Sequence, residues 1–69
     1  MGAEPFEPWY YVFDRTIYSD SNCTVFVQPA GSDCGYFSEL PECQSAGEGY
    51  FMGFTITHKC IENCMNCYE

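Results

Sequence analysis

Residues 9–18 read WYYVFDRTIY, an almost unbroken run of aromatic and β-branched side chains. Such side chains fit the half-buried surface of a pleated sheet, so the run predicts a strand. Side chains alternate between the two faces of a strand, and an aromatic face is therefore expected. That face should be formed by Trp9, Tyr11, Phe13 and Ile17, with Arg15 interrupting the apolar pattern.

Two further strands are predicted downstream. Residues 19–22 read SDSN, which is a turn cluster, and residues 23–28 read CTVFVQ, which is a strand pattern. The first two strands are therefore expected to form a hairpin. The remaining segments are the breakers at 29–33, an undecided short strand or helical turn at 34–40, a loop at 41–49 and the clearest strand, YFMGFTIT, at 50–57.

The chain holds six cysteines in 69 residues. An even number in so short a chain is typical of the disulfide scaffold of a secreted protein. A domain of this size buries little apolar surface, and a disulfide across a medium loop adds about 3 kcal/mol of stability. We therefore expect a secreted, extracellular protein in which all six cysteines form disulfides: Cys23, Cys34, Cys43, Cys60, Cys64 and Cys67.

The C-terminal segment, residues 59–69, reads KCIENCMNCYE. Its cysteines at 60, 64 and 67 stand at i, i+4 and i+7, so a helix would place all three on one face. Neighbouring Cβ atoms on a helix face are about 5–6 Å apart, whereas a disulfide needs about 3.8 Å. The spacing therefore predicts that Cys60, Cys64 and Cys67 pair with Cys23, Cys34 and Cys43, in an order that stays open.

These patterns together predict a small, disulfide-rich, mainly β fold. Three or four short antiparallel strands are expected, with a C-terminal turn or short helix stapled to them by disulfides. Residues 1–8 contain two prolines and two glutamates, which predicts an extended acidic arm. Residues 9–69 are expected to form a single disulfide-stabilised domain.

The charge balance excludes several function classes. Ten acidic residues stand against two basic ones, giving a formal net charge of -8. Charge of this sign repels phosphate backbones and anionic membranes, so we expect no nucleic-acid partner and no membrane partner. No apolar run approaches the ~20 residues of a membrane span. The favoured partner is an extracellular protein with a basic surface, bound by a monomer of this chain.

No metal site or cofactor is expected. The chain has one CxxC pair, Cys64 to Cys67, and a single histidine, His58, that is not spaced as a zinc ligand. The segment from Asp20 to Asn22 is a fragment of an acidic loop without the Gly and Glu of a calcium site, so it predicts an Asx-type turn. A thiol redox or metal module that uses Cys64 and Cys67 is a remote alternative.

An enzyme is not expected. The chain has one histidine, no G-x-S-x-G motif, and too few residues to build a deep cleft beside a core. Asn22-Cys23-Thr24 fits the glycosylation sequon, and its occupancy stays open.

The arm and the start of the first strand are the candidate binding site. Acids, prolines and aromatics alternate there, and Tyr and Trp dominate interface hot spots because they bury area at low entropy cost. The alternative is that the strand aromatics are sheet core and the glutamates only solubilise a tail. The candidate partner-binding residues are Glu4, Phe6, Glu7, Trp9, Tyr10 and Tyr11.

The cysteines at 60, 64 and 67 resemble the last three cysteines of the sea-anemone potassium-channel toxin domain. That family blocks channels with a Lys-Tyr pair on a basic surface, whereas this chain has one lysine and is acidic. In composition the chain is similar to ciliate mating pheromones, which are small, acidic and cysteine-rich. It is also similar to tick salivary inhibitors of complement, chemokines or proteases, which combine an acidic arm, aromatics and several disulfides.

Two functional hypotheses follow. The first is a secreted, toxin-like inhibitor that sequesters a basic host protein, such as a complement factor, chemokine or protease. The second is a pheromone-type signal that acts on a receptor. The aromatics (one Trp, six Tyr and six Phe) exceed what a core of this size can hide, which favours a binding function. The inhibitor is favoured over the pheromone because mating pheromones are typically helical, whereas this sequence predicts strands.

Overall fold

A computed structural model describes residues 6–69 of the chain. These residues form one antiparallel sheet of five strands, and they contain no helix that could cross a bilayer. The predicted small, disulfide-rich, mainly β fold is confirmed, while the short C-terminal helix is absent from the described range. The strands are β1 (Trp9–Tyr18), β2 (Phe26–Phe37), β3 (Gln44–Gly47), β4 (Tyr50–Glu62) and β5 (Met65–Tyr68).

The strand predicted at 9–18 is confirmed as β1, and it lies at the centre of the sheet. The strand order is β2-β1-β4-β3, and β5 also pairs with β4. The pairing of β1 with β2 runs from Trp9 opposite Phe37 to Tyr18 opposite Phe26, which confirms the predicted first hairpin. Its connection spans residues 19–25 rather than 19–22, so the second strand begins three residues later than predicted. Since β1 pairs on both edges, its side chains have neighbours on two sides, which suits its dense aromatic content.

Strand β2 is longer than predicted, because the breakers at 29–33 do not end it. A register shift occurs where Arg15 stands between two regular pairs, Asp14 with Ser32 and Thr16 with Pro29. Ala30 and Gly31 of β2 therefore oppose Arg15 alone, and the one extra residue forms a bulge at Gly31, whose φ of 93° suits glycine. Since β2 is an edge strand, its proline needs no partner on the outer side. The undecided segment 34–40 is strand as far as Phe37.

Strands β3 and β4 also extend beyond the prediction. The segment 41–49, expected to be loop, contains β3, and β4 continues five residues past the predicted end at residue 57, to Glu62. The two strands are joined by Glu48 and Gly49, which have φ values of 56° and 82°. Two successive residues with positive φ form the primed turn that matches the twist of a tight hairpin.

Of the predicted C-terminal turn or short helix, the turn is present and the helix is not, because residues 60–67 form a β-hairpin. Cys60 lies opposite Cys67 across a tight turn at Asn63 and Cys64. Cys64 and Asn66 have positive φ values of 58° and 54°, which a right-handed helix does not accommodate. A spacing of seven residues fits two turns of helix, and it equally fits a cross-strand pair in a short hairpin.

The disulfides correct the predicted pairing in two of three cases. All six cysteines lie in the described range and all are bonded. Cys34–Cys64 joins an upstream to a C-terminal cysteine as predicted. The other two bridges contradict the prediction, because without a helix nothing keeps the C-terminal cysteines apart. They are Cys23–Cys43 and Cys60–Cys67.

The core consists mainly of aromatic rings on one face of the sheet. Tyr11 and Phe13 are buried in β1, and the ring of Phe13 contacts those of Phe37 and Phe54 at 5.1 and 5.8 Å between centroids. Cys60 is the one fully buried side chain among residues 6–69. The molecule is a slab of 36 × 31 × 17 Å, so the core is one sheet deep.

The slab leaves much of its surface open to solvent. It exposes 4921 Å², whereas a compact protein of its mass exposes about 4,400 Å². Ten large apolar side chains among residues 6–69 are exposed. The expectation that the aromatics exceed the needs of the core is confirmed.

Candidate binding surface

The described part of the arm, residues 6–8, lies against the sheet. The ring of Phe6 contacts that of Tyr11 at 5.1 Å between centroids. The Glu7 carboxylate forms an ion pair with the Lys59 ammonium group, and the Glu7 carbonyl accepts a hydrogen bond from the Tyr11 hydroxyl. Residues 6–8 are therefore anchored by one charged, one polar and one aromatic contact. Glu4, the remaining arm residue of the predicted site, lies outside the described residues.

Tyr11 belongs to the core, as the alternative interpretation of the strand aromatics expected. Only 7% of its surface is exposed, so little of it remains for a partner. Burial raises the pKa of the Tyr11 phenol, and the negative charge that Tyr68 acquires on ionisation raises it further. The role of Tyr11 is to hold the arm through its hydroxyl and its ring.

Trp9 and Tyr10 present surface to solvent on opposite faces of β1. Trp9 is 36% exposed, and its indole N–H donates to the carbonyl oxygen of Cys60. The half-buried Tyr10 ring packs edge-on against Trp9 at 5.9 Å and against Tyr36 at 5.2 Å. Three rings therefore follow one another across the end of the sheet where β1 begins.

Sequence reasoning missed the exposed residues that join this group from other strands. Tyr36 neighbours Phe37, which pairs with Trp9, and Tyr68 pairs with Lys59, the partner of Glu7. Only the register of the sheet brings these residues to one end of it, with Tyr36 on the face of Tyr10 and Tyr68 on the face of Trp9, and no sequence motif indicates it. We call this surface the arm end: Phe6, Glu7, Trp9, Tyr10, Tyr36, Ile61 and Tyr68.

The opposite end of the sheet carries a second exposed apolar surface. The consecutive residues Val25, Phe26 and Val27 are all exposed where β2 begins. Beside them lies an open groove of about 330 Å³ that runs between β2 and the β3–β4 hairpin. The groove is lined by Ile17, Val27, Gln28, Ala46, Gly47, Glu48 and Tyr50.

Both basic side chains of the chain are already paired. Arg15 lies 3.8 Å from the Asp33 carboxylate, and Lys59 pairs with Glu7. His58 approaches Glu69 at 3.7 Å. Five other carboxylates in residues 6–69 are exposed and have no basic partner: Asp14, Glu39, Glu42, Glu48 and Glu62.

The predicted Asx-type turn at Asp20 is confirmed. Its Oδ1 accepts hydrogen bonds from the backbone N–H groups of Thr24 and Val25 at 2.9 and 2.8 Å, and its Oδ2 accepts from the Thr24 hydroxyl at 2.5 Å. These bonds favour the ionised carboxylate and lower the pKa of Asp20 to about 2, the Thr24 side chain having the largest effect. The carboxylate therefore closes the loop between β1 and β2.

The cysteines of the CxxC pair and the single histidine have structural contacts. Cys64 and Cys67 of the CxxC pair bond to Cys34 and Cys60 rather than to each other. His58 Nδ1 lies 2.9 Å from the hydroxyl of the neighbouring Thr57. Within residues 6–69 no group of three or more potential metal ligands converges.

Comparison of the chain with protein-family models, with curated proteins and with solved structures finds no match.

Proposed function

We propose that this chain is a secreted, cysteine-rich binding protein that sequesters or inhibits an extracellular protein with a basic surface. The observation that carries the proposal is the charge distribution of the described residues. Both basic side chains form ion pairs, while five exposed carboxylates in residues 6–69 have no basic partner. The surface offered to a partner is therefore almost purely anionic and polar, interrupted by exposed rings.

This combination suits a basic protein partner. An anionic surface speeds the encounter with a basic one and repels acidic competitors. Exposed rings then supply the buried area on which affinity depends. The arm end brings both together, because Glu7 and Glu69 lie near the rings of Trp9 and Tyr68.

The arm end is the proposed contact surface. It retains Phe6, Glu7, Trp9 and Tyr10 from the predicted site, and Glu4 stays a prediction for residues beyond the described range. The ion pair of Glu7 with Lys59 leaves the other carboxylate oxygen of Glu7 available to a cation of the partner. The missed residues Tyr36, Ile61 and Tyr68 enlarge the surface.

An extracellular location is part of the proposal. Three disulfides in so short a chain fit an oxidising compartment, because thiols stay reduced in the cytosol. Free-thiol titration of the protein purified from a secreting host should find none. Reactive thiols in the native protein would contradict this location.

The experiment is capture from blood plasma or conditioned medium by the immobilised protein, at low and high salt. We expect captured proteins to be basic and to be released by salt, because exposed charges are screened within about 10 Å at 0.1 M salt. Capture of acidic proteins, or retention that salt does not change, would contradict the proposal.

Variants locate the contact. Tyr36→Ser combined with Tyr68→Ser should reduce capture at least tenfold, since each removes an exposed ring at the arm end. Leu40→Ser is the matched control, because Leu40 is equally exposed in the loop between β2 and β3. Deletion of residues 1–8 tests the arm itself, and unchanged affinity would refute its role.

A further inference from the structure

The groove at the end of the sheet opposite the arm is lined by apolar side chains, an aromatic ring and a carboxylate. Ile17 of β1 lies between Val27 and Gln28 of β2 on one side and Tyr50 of β4 on the other. Glu48 lines the same groove from the tip of the β3–β4 hairpin. The arrangement therefore offers apolar contact, an aromatic ring and one negative charge within about 330 Å³.

The ligand that matches this arrangement is a long side chain with a cationic head. Its methylene stem would lie on Ile17 and Val27, and its charged head would reach Glu48. A guanidinium group fits better than an ammonium group, because it is planar, stacks on aromatic rings and binds carboxylates through two N–H groups. Tyr50, which is 44% exposed, supplies the ring.

Within residues 6–69 the carboxylate of the groove has no basic partner. Arg15 and Lys59 are both bound elsewhere, to Asp33 and Glu7. Among residues 6–69 no basic side chain pairs with Glu48. The described residues leave no basic side chain to neutralise Glu48, so a cation from another molecule is the expected partner, and a second copy with the same charge of -8 is disfavoured by repulsion.

The backbone holds Glu48 in an unfavourable conformation. Its φ of 56° lies in the left-handed region, where residues with a Cβ atom carry a steric cost and where Asn or Gly is preferred. The hairpin tip therefore carries a carboxylate at a position whose local geometry does not favour one.

We propose that this groove binds an arginine side chain of the partner. The proposal rests on the proposed function, since it names the group by which a basic protein would be recognised at a second surface. The groove and the arm end lie at opposite ends of the sheet, so they would engage different parts of a partner.

The test uses the peptide acetyl-Gly-Arg-Gly-amide as probe, followed by amide chemical shifts of the whole protein. We expect saturable shifts that centre on Ile17, Gln28, Glu48 and Tyr50. The same peptide with norleucine in place of arginine should bind at least threefold more weakly, because it keeps the stem and lacks the charge. The lysine peptide should fall between the two.

Two variants and one control sharpen the test. Glu48→Gln should lower the affinity for the arginine peptide by about threefold to fivefold, as expected for loss of an exposed ion pair. Tyr50→Leu should lower the same affinity by about twofold to fivefold, the range for an exposed cation–π contact. Glu42→Gln removes an exposed carboxylate outside the groove and should leave the affinity unchanged. Retained shift dispersion shows that each variant is folded.

Three results would overturn the groove proposal. The first is equal affinity for the norleucine and arginine peptides. The second is peptide-induced chemical shift changes spread equally over Glu39, Glu42 and Glu62. The third is shift changes at the groove that depend on protein concentration without peptide, which would indicate a second copy as the occupant. If the immobilised protein captures no basic protein from plasma although the arginine peptide binds the groove, the proposed function is refuted instead. Salt-sensitive capture that Glu48→Gln leaves unchanged, with no peptide binding, would refute only the groove.

Discussion

The indole N–H of Trp9 donates a hydrogen bond to the carbonyl oxygen of Cys60, which joins residues 51 positions apart in sequence. Cys60 is fully buried and bonded to Cys67, so this contact ties the start of β1 to the C-terminal hairpin. The indole N–H of Trp9 therefore supports the fold, while its ring remains partly exposed to solvent.

Trp9→Phe should lower the free energy of unfolding by about 1 kcal/mol, because the variant keeps a ring and loses the donor to a buried carbonyl. Urea denaturation measures the change. Tyr36→Phe is the control, since it removes only an exposed hydroxyl and should change stability by less than about 0.5 kcal/mol. If Trp9→Phe is as stable as the parent chain, the hydrogen bond contributes nothing.

Acid should weaken the loop that Asp20 closes. The pKa of Asp20 is about 2 in the folded chain, below the ordinary value of 3.8. A carboxyl with a lowered pKa stabilises the fold above its unfolded pKa, and that contribution is lost as pH falls through the folded pKa. We therefore expect the melting temperature to fall as the pH decreases from about 4 to about 2.

The variant Asp20→Asn should be less stable than the parent at neutral pH and should show a flatter decline over this acid range. Glu39→Gln, in an exposed loop, is the control and should retain the parent profile. A parent-like acid decline in Asp20→Asn would assign the effect to other carboxylates.

Gly53 of β4 lies where no side chain fits. A Cβ atom there would be 2.7 Å from Cε2 of Tyr18 and 3.4 Å from the Sγ of Cys23. Gly53→Ala should therefore destabilise the chain by about 1–3 kcal/mol through overpacking. Gly35→Ala in β2 is the matched control, because a Cβ atom there meets nothing within 4 Å. Thermal unfolding of the two variants compares them, and equal melting temperatures would contradict the packing argument.

Glu48→Asn should stabilise the chain by about 0.5–1 kcal/mol, because asparagine tolerates positive φ in a two-residue hairpin turn. The same variant should lose affinity for the arginine peptide, so stability and binding change in opposite senses. Chemical denaturation gives the first effect and peptide titration the second. Glu42→Asn should change neither, and a destabilised Glu48→Asn would show that the carboxylate supports the hairpin.

Residue type and alternation predicted those strands in which every residue favours an extended β conformation. The aromatic and β-branched run at 9–18 and the alternation at 50–57 correspond to β1 and most of β4. The extent of β2 could not be predicted, because Gly31 ends a strand in most settings and forms a bulge only when a neighbouring strand supplies the register.

The prediction for the disulfide pairing of the C-terminal cysteines is wrong for a related reason. Cysteines seven residues apart fit both a helix face and a cross-strand pair, and the choice depends on whether the turn falls at Asn63 and Cys64. The arm end was predicted in part, through Phe6, Glu7, Trp9 and Tyr10. Its other members come from β2, β4 and β5, so only the long-range register unites them.

The exposed apolar side chains at the start of β2 affect the solubility of the protein. Val25, Phe26 and Val27 are exposed at an edge strand whose outer backbone groups are free to pair. Mutual repulsion between molecules carrying a charge of -8 opposes such edge-to-edge association at neutral pH. The pI is about 4.1, so acidification to that point removes the repulsion while the sheet edge stays exposed. Precipitation through β2 edges is therefore expected there, and dispersal should return on either side of the isoelectric point.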